Sequence, residues 1–155
     1  MNTPRVVVVG LGPAGPELTN DLTRAAIAAT PHRFLRTVQH PASSLLDGAT
    51  SFDEVYDTAD SFDDVYAEIV ERLVAAAVTH GHIVYAVPGS PMVLERSVRL
   101  LRTDPRVATE VLPSMSFLDV AYSRLGVDPV EAGVRLVTWS NETESNESTS
   151  QTRRG

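Results

Sequence analysis

No cysteine occurs among the 155 residues, which excludes disulfides and thiolate metal sites. No stretch approaches the ~20 apolar residues of a membrane span. The N-terminus does not read as a signal peptide, because its valine run is short and glycine follows it. Positive charge is in short supply: 13 basic residues stand against 20 acidic ones, for a formal net charge of −7. That argues against nucleic acid or an anionic membrane as the main partner. A cytoplasmic protein is expected. Asn141-Glu142-Thr143 and Asn146-Glu147-Ser148 match the glycosylation pattern, but without secretion they carry no weight.

What is present is enough apolar material, 43% of residues, for one domain with a real core. Arg5–Thr19 organises the rest. Val6 to Val9 are β-branched and contiguous, the pattern of a strand buried on both faces of a parallel sheet. Gly10, Gly12 and Gly15 follow, with Pro13 between them and Pro16 directly after. Glycine lets backbone approach a ligand closely. The bare spacing is G-x-G-x-x-G, but Pro13 stiffens the loop and removes a donor, which suits a pyrophosphate poorly. No lysine follows, so a P-loop is excluded. On spacing alone, a tight turn with no ligand and a ligand loop stay equally open.

Further on, the patterning predicts a helix over Glu17–Ala29 with Leu18, Leu22, Ala25, Ala26 and Ala29 on its apolar face. A strand is expected at Phe34–Val38 and a short helix at Pro41–Leu46. SFDEVY and SFDDVY then repeat ten positions apart. The first copy reads as a strand or loop edge. The second starts a helix with Ser61 as its cap, with Val65, Ile69, Leu73 and Ala76 at helical spacing and Gly81 as its stop. The acidic cluster from Asp53 to Asp64 fits no EF-hand spacing and reads as a solvated helix start. Strand His82–Val87 meets the turn Pro88–Pro91, followed by a helix over Met92–Leu101. Strand Val107–Leu112 meets Pro113–Ser116, followed by a helix over Phe117–Leu125. Repeated strand–turn–helix units predict an α/β fold, a mainly parallel sheet with helices on both faces. The three turns should share the carboxyl edge, where such folds bind ligands. His32, His40, His80 and His82 show no metal-ligand spacing, and neither Ser114 nor Ser116 sits in a nucleophile elbow.

Three motifs in order, GLGPAGPELT, VPGSPMV and LPSMSFLDVAYSRLGVDP, resemble those of the tetrapyrrole (corrin/porphyrin) methylase family. The likeness spans Arg5 to about Val137. SFDEVY and PSMSFLDVAYSRLG resemble the methylase-like domain that precedes MazG-type nucleoside triphosphate pyrophosphohydrolases. The resemblance implies a methyltransferase using S-adenosylmethionine (SAM), which lies in a cleft between two α/β domains. Carried over, the cofactor-binding residues are Gly10, Gly12 and Pro13, then Pro88, Gly89, Ser90 and Val93, then Ser116 and Phe117. It supplies no catalytic residue and no metal. Ala14-Gly15 stands where the family usually reads Gly-Asp, and Ser90 stands where it has an aspartate. A Tyr-Asp pair of the porphyrin methylases corresponds to Phe34-Leu35-Arg36-Thr37, which has no carboxylate. The other functional reading is a binding module that keeps the fold without catalysis, pairing with a second copy or a MazG-type partner.

The expected domain is 1–137. Residues 138–155 are polar and expected to be disordered. Val134–Val137 reads as the lead-in to a second domain, so a truncated or frameshifted product is expected, prone to dimerise and inactive alone.

Overall fold

The computed structural model describes residues 2–138. Its elements are β1 (Arg5–Gly10), α1 (Asp21–Ala28), β2 (Arg33–Leu35), β3 (Thr50–Ser51), α2 (Asp53–Thr58), α3 (Phe62–His80), β4 (His82–Val87), α4 (Arg96–Thr103), β5 (Ala108–Val111), α5 (Phe117–Leu125) and α6 (Pro129–Ala132). The strands form one five-stranded sheet, in the order β3-β2-β4-β1-β5, with every pairing parallel. The expected tail from Thr138 lies almost wholly outside the described residues.

The valine run explains why β1 is central. Val6 and Val8 enter one core with Val65, Ile69 and Leu73 of α3. Val7 and Val9 enter the opposite core with Ile27 of α1, Leu35 and Leu46. Strand alternation thus gives each face of the sheet two valines, and neither face is left to water. In β4, Ile83, Tyr85 and Val87 face the α3 core and Val84 and Ala86 the other.

Several boundaries differ from expectation, each for a local reason. The chain does not run from the glycine loop directly into a helix. Pro16–Leu18 makes one 3-10 turn, and α1 begins only after Asn20, whose side chain accepts from the Thr23 amide. Its buried positions are Thr23 and Ile27, while Leu22 is exposed. β2 stops at Leu35, and Pro41–Leu46 yields only a 3-10 turn at Ser43–Leu46.

The first SFDEVY copy is helical. Ser51 Oγ accepts from the Asp53 amide, and Asp53 itself accepts from the Val38 amide, which fixes the start of α2. Phe52 is fully buried against Phe34 and Tyr85, whereas its counterpart Phe62 is 71% exposed. α3 begins and ends as expected, on Ser61 and Gly81. α4 starts at Arg96 rather than Met92, because Met92 to Leu94 remain in the turn and Leu94 has φ 58°. α5 matches its expected bounds, and Ser116 and Asp119 form a capping box at its start. Among the described residues no helix is long and apolar enough to cross a membrane.

Candidate functional site

Parallel strands bring the turns after β1, β4 and β5 to one edge. There the β1 and β4 loops are joined directly. The Gly12 amide donates to the Gly89 carbonyl at 3.2 Å, and the Gly89 amide donates to the Gly12 carbonyl at 2.9 Å. Beneath this bridge the Gly10 carbonyl accepts from Thr23 Oγ1 at 3.2 Å and from Ser114 Oγ at 3.0 Å. Thr19 Oγ1 donates to the Leu11 carbonyl at 2.6 Å. Hydroxyls from α1, the 3-10 turn and the β5 loop therefore hold the glycine loop from below.

Above it lies a cavity of about 330 Å³. Gly12 and Pro13 line it from the first loop, Pro88, Gly89, Ser90 and Val93 from the second, and Ser116 and Phe117 from the third. The structure so brings together all the motif residues singled out from the sequence except one. Gly10 lies below the surface. A Cβ there would sit 2.2 Å from the Gly89 carbonyl oxygen and 2.6 Å from Ser114 Cβ, so its glycine is required by the crossing of three loops.

Three further wall residues, Arg36, His40 and Glu95, carry the site's ionisable chemistry and were not among the sequence candidates. Arg36 follows β2, with its amide bonded to the Ala86 carbonyl at 3.0 Å. Its Nη1 donates to Glu95 Oε1 at 2.7 Å. Glu95 caps α4 by position and its side chain is only 5% exposed. Burial raises the Glu95 carboxyl above the usual carboxylate range, against the attraction of Arg36. Burial works the other way on Arg36, but Glu95 together with Tyr56 and Tyr85 outweighs it and the guanidinium stays firmly charged. The salt bridge leaves the pair half-satisfied: Arg36 Nε and Glu95 Oε2 are both buried without a partner.

His40 is different, since both ring nitrogens are used. Nδ1 accepts from the Ala42 amide at 3.1 Å, so the proton is on Nε2, which donates to the Gly12 carbonyl at 3.0 Å. Burial lowers its pKa and the nearby Arg36 charge adds to that, while the Gly12 carbonyl opposes them. Its role here is to tie the glycine loop to the segment after β2.

Ser116 is also committed. Its amide donates to Asp119 Oδ2 at 2.8 Å, and its Oγ accepts from the Leu118 amide at 3.2 Å. Neither Ser114 nor Ser116 has a histidine as hydrogen-bond partner, so neither is placed as a nucleophile. His32 and His80 stack on each other at 3.8 Å, away from the cavity lining.

A parallel, doubly wound α/β domain with a ligand-sized cavity at its carboxyl edge defines the class. Within it, the chain belongs to the tetrapyrrole (corrin/porphyrin) methylase family, whose sequence model matches residues 5–154. It is 34% identical over 134 residues to "Uncharacterized protein YabN" of Bacillus subtilis (strain 168), covering 82% of this chain and 27% of that protein. The fold is similar to uroporphyrin-III-C-methyltransferase from Thermus thermophilus, with TM-score 0.62 and 23% identity over 81% of this chain and 54% of that one. A structure of that enzyme complexed with S-adenyl homocysteine aligns with TM-score 0.53 and 20% identity, over 76% of this chain and 47% of that one. Precorrin-6Y methylase from Archaeoglobus fulgidus aligns with TM-score 0.56 and 22% identity, over 84% and 62% of the two chains. The chain therefore spans about a quarter of its curated relative and roughly half of these solved structures.

Proposed function

We propose that this domain binds SAM in the cavity formed by the three turns and belongs to a methyltransferase. The observation that carries this reading is the convergence of Gly12, Pro13, Gly89, Ser90, Val93, Ser116 and Phe117 on one cavity. The cavity also suits such a ligand chemically. Proline, valine and phenylalanine offer apolar walls for a thioether chain, and the orphaned Arg36 and Glu95 atoms offer polar anchors. When bound, SAM supplies an electrophilic methyl group. The chain's own contribution is to position that group and exclude water around it. The methyl acceptor would approach from the open side of the cavity, and a cytoplasmic location belongs to the same proposal.

Calorimetry with SAM and S-adenosylhomocysteine tests the reading. Weak binding is expected, because one domain buries only part of the ligand. Ser90→Trp should abolish it by filling the cavity, with the thermal melt as a check on folding. No binding of either compound, or unchanged binding by the folded variant, would overturn the assignment.

A binding module without catalysis is the second reading, related to the domain found with MazG-type partners. One observation favours it: Met92, Leu94 and Met115, on the turns after β4 and β5, and Phe117, at the start of α5, are all exposed. Apolar groups gathered at one edge suit a polypeptide partner, including a second copy of the chain.

A further inference from the structure

Two expected ligand anchors are already occupied. The amides of Gly12 and Gly89 each donate to the other loop's carbonyl, so they are not the donors that hold a polar ligand group. Ser116 is committed to its capping box, and His40 uses both ring nitrogens. Among the ionisable groups of the cavity wall, the Arg36–Glu95 pair is the one left with unused polar atoms. It is a fixed dipole, one cation and one anion joined by a single bond of 2.7 Å. Each partner keeps one unused group: Arg36 Nε–H is a donor and Glu95 Oε2 an acceptor. Leaving both unpaired when buried is costly, and such atoms call for a partner.

A ligand with a lone charge is a poor match, since one member of the pair attracts it and the other repels it. A ligand carrying an anion and a cation side by side matches both. We infer that Arg36 and Glu95 are a receptor for an α-amino-acid zwitterion, with Arg36 Nε donating to its carboxylate and Glu95 Oε2 accepting from its ammonium. The inference rests on the SAM reading, where this group is the methionine end of the cofactor. Both atoms are buried while their residues line the cavity, so engagement includes a rotation of the two side chains toward the ligand.

The test compares S-adenosylhomocysteine with 5′-methylthioadenosine, a nucleoside thioether that lacks the amino acid. Binding of both is measured by calorimetry to the wild-type chain, to Glu95→Gln, and to the double variant Arg36→Met with Glu95→Gln. The double variant replaces the ion pair by neutral groups of similar size and keeps the fold testable if one charge alone is not tolerated. S-adenosylhomocysteine affinity should fall about tenfold or more in both variants, the scale of a lost charge-assisted hydrogen bond. Methylthioadenosine affinity should not change, which also shows that the cavity is intact. Equal loss for both ligands, or no loss for either, would overturn the zwitterion assignment and leave the SAM reading standing. Failure of the wild-type chain to bind S-adenosylhomocysteine at all would overturn both.

Discussion

His40 shows how much one side chain settles at this site. As the neutral Nε2-protonated ring it accepts from Ala42 and donates to Gly12. A second proton would remove the acceptor that the Ala42 amide uses. Burial, then Arg36, lower its folded pKa below the ordinary 6.5. The stability it contributes is therefore complete above pH 6.5 and is lost as pH falls through the lower folded value. Glu95 has the opposite sign. Its folded pKa is raised from 4.5, so its contribution is lost as pH rises through the folded value. Thermal melts between pH 5 and 7.5 should show wild type losing more stability on acidification than His40→Gln. Parallel curves would mean that the imidazole contributes nothing here. None of this was legible in the sequence. His40 meets Gly12 across 28 positions and Arg36 meets Glu95 across 59. Pairings between elements leave no periodic trace. The glycines and prolines did, because their backbone constraints are local.

At the scale of elements, what could be read was whatever a strand or helix needs within itself. β4 and α5 were legible to the residue, from an apolar run in one case and a cap with a glycine stop in the other. The twin hexapeptides were not. Val55 and Val65 are both buried, yet Phe52 is inside and Phe62 outside. The difference comes from where each copy meets the sheet, which its own letters do not carry. Gly10 marks the junction of three elements, and its prediction belongs here. An alanine methyl would meet the Gly89 carbonyl, Ser114 Cβ and Pro91 Cδ, all closer than 3.0 Å. Overpacking of this kind costs about 1–3 kcal/mol. Urea denaturation of Gly10→Ala should show a loss of that order, and a wild-type midpoint would mean that the loops separate easily.

For the molecule as a whole, the two cores follow from alternation along β1 and β4. The distribution of exposed apolar side chains does not. Met92, Leu94, Met115 and Phe117 lie on the connections after β4 and β5 at one edge of the sheet, and their grouping appears only once those two connections are folded together. If that edge seats a second copy, sedimentation should give a mass near twice the 16.7 kDa chain. Leu94→Glu with Phe117→Glu should return it to the single-chain value. A wild-type monomer at micromolar concentration would remove the self-association reading.

The reciprocal bonds between Gly12 and Gly89 reach further than the residues they join. They clasp two loops into one bracket, so neither can swing aside alone. A visitor to the cavity then meets a frame that is set before it arrives. On that side, recognition works like a key in a fixed lock. Backbone adjustment is left to the opposite jaw, where Phe117 opens a helix with no buried residue to anchor it.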